Sequence, residues 1–154
     1  MDKDEFIARA EQIKTRLYRT AFLYLGSENM ALDAIDEAIY RGFISFRKLR
    51  QPEFFETWMT RILINECKKE LRRRKREQNF GHIPESAEDV FDTLPLKEAL
   101  SYLPETLKEV IILRYFVGFT LSETAKSLDI PQGTVVTRQR RALSLLKLEL
   151  SEEE

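Results

Sequence analysis

A chain of 154 residues suits one domain or two small ones, and its formal net charge of −1 marks it as neither strongly acidic nor strongly basic overall. With 43% hydrophobic and 33% charged residues but only five glycines and five prolines, helices with solvated faces are favoured over an all-β fold. One cysteine (Cys67) excludes an internal disulfide, and one histidine (His82) leaves too few ligands for a zinc site, so no metal or other cofactor is expected.

No apolar run approaches the ~18 residues that cross a bilayer. The opening residues MDKDEFIARAEQ are acidic and polar, unlike a secretory signal, so a cytoplasmic location is expected. A first helix is predicted from about Asp4 to Leu25, with Ile13, Leu17, Ala21, Phe22 and Leu25 on one side and Gly26-Ser27 ending it. A second, roughly Glu28 to Arg47, buries Ala31, Leu32, Ile35, Ile39, Phe43 and Phe46. Pro52 fits the first turn of a third helix. That helix carries Phe55, Met59, Ile62, Leu63, Cys67 and Leu71 at spacings of three and four and runs into five consecutive cations, Arg72 to Arg76. Cations suit a helix C-terminus, but five exceed what a helix end requires.

From Glu77 to about Thr93 periodicity lapses, and this stretch is the expected flexible linker. Helical signals resume at Pro95. Pro104 opens another helix with Leu107, Val110, Ile111 and Ile112 to Tyr115 apolar, and Gly118 is placed as its C-terminal cap. Thr120 and Glu123 then have the spacing of a capping box, followed by Leu121, Thr124, Ala125 and Leu128 at helical spacing. Asp129-Ile130-Pro131 breaks the run, and a helix restarts at Pro131 or Gln132 with Arg138, Arg140 and Arg141 one turn on. Two short helices around a tight turn, with polar and basic residues opening the second, is the plan of a helix-turn-helix. An ordinary helical hairpin with a solvated basic face would share it.

The neutral total hides segregation. Residues 66 to 76 sum to +5, residues 77 to 109 to −6, and residues 133 to 148 to +4. Two basic patches separated by an acidic stretch suggest two contacts with a polyanion. The expected fold is all-α: two small helical domains, residues 1–76 and 94–154, joined by a flexible linker at 77–93, with the helix-turn-helix in the second.

The whole pattern resembles the small bacterial sigma factors of the extracytoplasmic-function group. LPETLKEVIILRYFVGFTLSETAKSLDIPQGTVVTRQRRAL is similar to the family's fourth conserved region, with Leu103-Pro104, Leu113-Arg114, Glu123-Thr124-Ala125, Gly133-Thr134-Val135, Arg138 and Arg141-Ala142 in register. ALDAIDEAI and FETWMTRILINECKKELRRRKR resemble the family's second region. The resemblance implies a factor that binds core RNA polymerase and guides it to promoters. The first domain would read and open the minus-ten element, and the second would read the minus-thirty-five element as duplex. It further implies polymerase docking through Asp33, Ile35, Asp36 and Glu37. Minus-ten contacts are expected from Lys48, Arg50 and Gln51 in a base-capturing loop and from Asn65, Lys68, Lys69 and Arg72 on the third helix. Phe55 and Trp58 match family positions but sit on the apolar stripe, which reads as core. Minus-thirty-five contacts are expected from Gln132, Thr134, Thr137, Arg138 and Arg141, with Val135, Ala142 and Leu146 buried. An anti-sigma partner is implied by resemblance alone.

Four positions depart from the family pattern. Asp36 replaces a glutamine, and Lys69 an acid whose local ion pair is then absent. Val136 replaces a lysine, removing a phosphate contact. Leu143 replaces an arginine and looks like core. Three other classes compete. For an enzyme, no phosphate loop, metal cluster or nucleophile–base set is present. A helix-turn-helix regulator working without polymerase accounts for residues 120 to 149 alone. A protein–protein adaptor leaves the basic patches unexplained.

Overall fold

The computed structural model describes residues 1–78 and 94–152, which form helices and turns with no strand among them. The chain divides into two compact units, Met1–Ala87 and Glu88–Glu154.

In the first unit, α1 (Lys3–Leu25) begins where the Asp2 side chain accepts from the Glu5 amide, and Asp4 and Glu5 suit the positive end of the helix dipole. Helix α2 (Glu28–Ser45) starts at Ser27, whose side chain accepts from the Met30 amide. The buried stripe of α2 is made of small residues and one larger one: Ala31, Ala34, Ile35, Ala38 and Gly42. Small side chains let the neighbouring helices close in. At Gly42 a Cβ would stand 2.6 Å from the Met59 sulfur, so any larger residue there would require the buried Met59 side chain to shift. Leu32, expected inside, is 43% exposed. The small-residue stripe takes the inner side of α2, and Leu32 lies about 100° round from Ala31.

Two 3-10 turns, Phe46–Lys48 and Pro52–Phe54, carry the chain from α2 to α3 (Phe55–Gln78). Both ends of this crossing are pinned by one aromatic cluster. The Phe6 ring lies 5.9 Å from Phe43, 5.4 Å from Phe46 and 5.6 Å from Phe55. The intervening Lys48, Arg50 and Gln51 stay exposed. Phe55, Met59, Leu63, Ile64 and Cys67 are buried, while Ile62 and Leu71 are half-buried. Helix α3 runs to Gln78, two residues into the stretch expected as linker. The rest of that stretch, with His82, lies outside the described residues.

The second unit contains α4 (Leu94–Ser101), α5 (Glu105–Ile111), α6 (Leu121–Leu128) and α7 (Gln132–Glu152). Helix α5 follows Pro104 as predicted and continues into a π-helical turn, Ile112–Val117. Gly118 closes that turn at φ 83°, a left-handed conformation in which a side chain would be strained. The wider turn keeps Ile112 and Leu113 inside and leaves Tyr115, expected on the apolar run, 53% exposed. Leu143, expected in the core, is also exposed, because its neighbour Ala142 takes the inward position on α7. Val135, Ala142 and Leu146 are buried as expected.

Candidate nucleic-acid interface

The helix-turn-helix is assembled from local chemistry. Thr120 and Glu123 form the capping box: the Glu123 amide donates to Thr120 Oγ1 at 3.1 Å, and the Thr120 amide donates to Glu123 Oε1 at 2.9 Å. Helix α6 ends at Asp129, at φ 57° and ψ 49°. The amides of Ile130 and Asp129 donate back to the carbonyls of Ala125 and Lys126, the paired bonds of a Schellman cap. Aspartate is among the few non-glycine residues that tolerate this region. Pro131 cannot extend α6, but its carbonyl accepts from Thr134 at 3.0 Å and Val135 at 3.2 Å, so α7 begins at once. Leu121, Leu128 and Ile130 pack on the buried trio Val110, Ala125 and Val135, which fixes the two helices against α5.

On α7, Gln132, Thr137 and Arg141 are exposed and Thr134 is half-buried. The Thr137 hydroxyl donates to the Gly133 carbonyl at 3.0 Å, leaving its oxygen able to accept. Arg138 is less open than its spacing suggested. Its Nη1 lies 3.9 Å from Oε1 of Glu109, and its side chain is 29% exposed. Arg114 clamps the next position: Nε donates to Gln139 Oε1 at 2.8 Å, and Nη1 donates to the Phe119 carbonyl at 2.6 Å. Sequence reading assigned no part to Glu109. Its signal was a lone acid flanked by the buried Leu107, Val110 and Ile111.

In the first unit, Asn65, Lys68, Lys69 and Arg72 come together as expected, around a depression of about 340 Å³. Ile62, Glu66 and Arg41 complete its lining, and Arg41, contributed by α2, was missed. Lys48, Arg50 and Gln51 are not among the lining residues. Glu66, only 8% exposed in its side chain, organises the cations: Arg41 Nε lies 2.7 Å and Lys69 Nζ 3.3 Å from its Oε1. Lys69, where a family acid is replaced, thus takes part in an ion pair of another kind. Phe55 is buried, and Trp58, 6.1 Å from it between ring centroids, is half-buried.

The four residues expected to meet polymerase do not share one face. Asp33 and Glu37 flank a depression with Lys69, Glu70 and Arg73. Asp36 lies on another, beside Ile7, Glu11 and Tyr40. Ile35 is 1% exposed and packs in the core with Ala31, Ala34 and Ala38, so it offers no contact surface.

Among the described residues no helix is long and apolar enough to cross a membrane, and no group of three or more metal-ligating side chains is present. Two family models match in order along the chain: sigma-70 region 2 over residues 10–77 and sigma-70 region 4 over residues 99–148. The chain is 33% identical over 146 residues to the RNA polymerase sigma factor SigV of Bacillus subtilis, covering 92% of this chain and 88% of that protein. It is 25% identical over 169 residues to the ECF sigma factor SigW of the same organism, covering 97% and 90%. The fold is that of the sigma factor RpoE solved with the anti-sigma factor NepR from Bartonella quintana, at a TM-score of 0.83 and 23% identity over 97% of this chain and 99% of that one. CnrH, solved with the cytosolic domain of CnrY, gives a TM-score of 0.78 at 20% identity over 99% and 92%. With both sigma-70 regions on one chain and a curated relative matched over most of its length, this protein belongs to the sigma-70 family of RNA polymerase sigma factors, in its extracytoplasmic-function group.

Proposed function

We propose that the chain is an alternative sigma factor that binds core RNA polymerase in the cytoplasm and directs promoter recognition, DNA opening and transcription initiation. It contributes binding and guidance, with no bond-making chemistry of its own. The observation that carries this reading is the ordered pair of regions 2 and 4 on one chain. A regulator acting without polymerase needs only the helix-turn-helix and leaves residues 10–77 without a task.

The division of labour follows the charge. In the first unit, the exposed carboxylates Asp33, Asp36 and Glu37 suit a basic docking surface on polymerase. The depression lined by Asn65, Lys68, Lys69 and Arg72, together with Lys48, Arg50 and Gln51, suits the displaced single strand at the minus-ten element. In the second unit, Gln132, Thr134, Thr137, Arg138 and Arg141 on α7 suit the major groove of the minus-thirty-five element. RpoE of Bartonella quintana was solved bound to an anti-sigma factor. A protein regulator of that kind is proposed for this chain too.

Run-off transcription with purified core polymerase tests the reading. The expected result is a promoter-specific transcript that requires this chain. Duplex binding without polymerase association would favour the regulator instead.

A further inference from the structure

Glu109 stands on α5 and is 2% exposed. A carboxylate so buried requires compensating charge or hydrogen bonds. The Arg138 guanidinium lies 3.9 Å away, which is charge attraction rather than a hydrogen bond. Arg138 nevertheless keeps part of its side chain open, on the face of α7 that also carries Thr134 four residues before it and Arg141 three after. A guanidinium has five N–H donors in a rigid planar fork, so one edge can face a carboxylate while another is presented outward. Left alone, so long a side chain would average over many rotamers and meet phosphates and base edges alike. A buried carboxylate limits that averaging before DNA arrives.

The course of α7 does not depend on this pair. Arg114 holds the adjacent Gln139, and Val135 packs with Val110 and Ala125. Glu109 can therefore bear on the direction of the Arg138 side chain without setting the path of the helix.

We propose that Glu109 is a positioning residue for duplex recognition: it fixes the direction of the Arg138 guanidinium at the open face of α7, so that Arg138 contributes sequence discrimination and not only positive charge. The proposal rests on the reading of α7 as the duplex-facing helix.

The test uses the full chain and a duplex enriched from a random pool by the wild-type protein, compared with the same duplex scrambled, over a range of salt. Glu109→Gln, nearly isosteric, is expected to lose several-fold of the discrimination between the two duplexes. Its salt slope on scrambled DNA should stay that of the wild type, since no cation has been removed. Arg138→Lys, which keeps the charge but not the fork, is expected to lose discrimination in the same way. Adding Glu109→Gln to Arg138→Lys should cost little more, because both act through one guanidinium. Should Glu109→Gln melt the second unit, Glu109→Asp, which keeps the charge but draws it back from Arg138, takes its place and is expected to lose discrimination in the same way. Full discrimination by either folded variant overturns the proposal. If Arg141→Ala still loses discrimination in that case, α7 remains the reading helix and only the role of Glu109 falls. If Arg141→Ala also binds like the wild type, the reading of α7 falls with it.

Discussion

Reversing the charge of Asp33 and Glu37 separates polymerase docking from folding, because the structure makes the two costs unequal. Glu37 pairs with Arg41 at 3.2 Å, with both side chains 47% exposed. An exposed pair at this helical spacing contributes about 0.3–0.5 kcal/mol. Arg41 keeps its second carboxylate, Glu66, at 2.7 Å. New lysines at 33 and 37 would crowd the cations Lys69 and Arg73, which line the same depression, at a cost of a few tenths of a kcal/mol each. The loss of stability is thus about 1 kcal/mol, small against the 5–15 kcal/mol of an ordinary domain. At a charge-complementary interface, the same reversals place like charges together and cost several kcal/mol. At about 1.4 kcal/mol per tenfold, affinity for core polymerase should fall by roughly a hundredfold or more. The assay pairs fluorescence anisotropy of the labelled chain titrated with core polymerase with a circular-dichroism melt. Polymerase affinity within twofold of wild type, in a variant with a native helical spectrum, would refute the assignment of this face to docking.

Ile35→Ala should behave in the opposite way. Truncating so buried a side chain removes about 2–5 kcal/mol from the first unit, seen as a lower melting temperature, while the folded fraction binds polymerase unchanged. Thr120→Ala removes one side of the capping box and should cost about 1 kcal/mol, read as faster hydrogen exchange confined to α6; faster exchange confined to α3 would contradict it. Arg72→Ala should weaken single-stranded DNA binding and reduce the salt slope by about 0.7 if the residue holds one phosphate, and an unchanged slope would place it outside the strand's path. Tyr18 carries a phenol raised above its ordinary value, first by burial and then by the Glu28 carboxylate. Its absorbance should therefore titrate later than that of free tyrosine, and Glu28→Gln should bring it partway back. Because the folded protein holds that proton more tightly, the associated stability is full below about pH 10 and is lost as pH rises through the folded value.

What the sequence made legible was local. Thr120 with Glu123, the break at Asp129 to Pro131 and the stop at Gly118 act within one turn of the chain, and each appears where its spacing placed it. The grouping of Asn65, Lys68, Lys69 and Arg72 was also readable, since helical spacing alone puts them on one side of α3. Pairings between helices were not. Arg41 reaches Glu66 from α2, and Glu109 reaches Arg138 from α5; no spacing within either helix announces them. Helix phase caused the remaining errors. Leu32 and Leu143 are apolar residues beside small inward-facing alanines, and hydrophobicity alone pointed to the wrong neighbour. At Ile35, motif matching joined to the exposed carboxylates a residue that helical geometry turns into the core.

The widened turn at Ile112–Val117 gives this part of the chain a fixed length as well as a composition. A π-helical turn amounts to one residue inserted into a helix and absorbed as a bulge, so deleting a residue there would close the widened turn to an ordinary α-helical one and displace the side chains it carries. Arg114 sits within that turn and bonds forward to the Phe119 carbonyl and across to Gln139 on α7. A deletion would pull it from both partners at once, whatever residues remained. Homologues should therefore vary freely in kind at the exposed Tyr115 and Phe116, while gaps in their alignments avoid this interval. Counting residues between Ile111 and Gly118 should then separate chains that aim α7 in this way from chains that merely share its arginines.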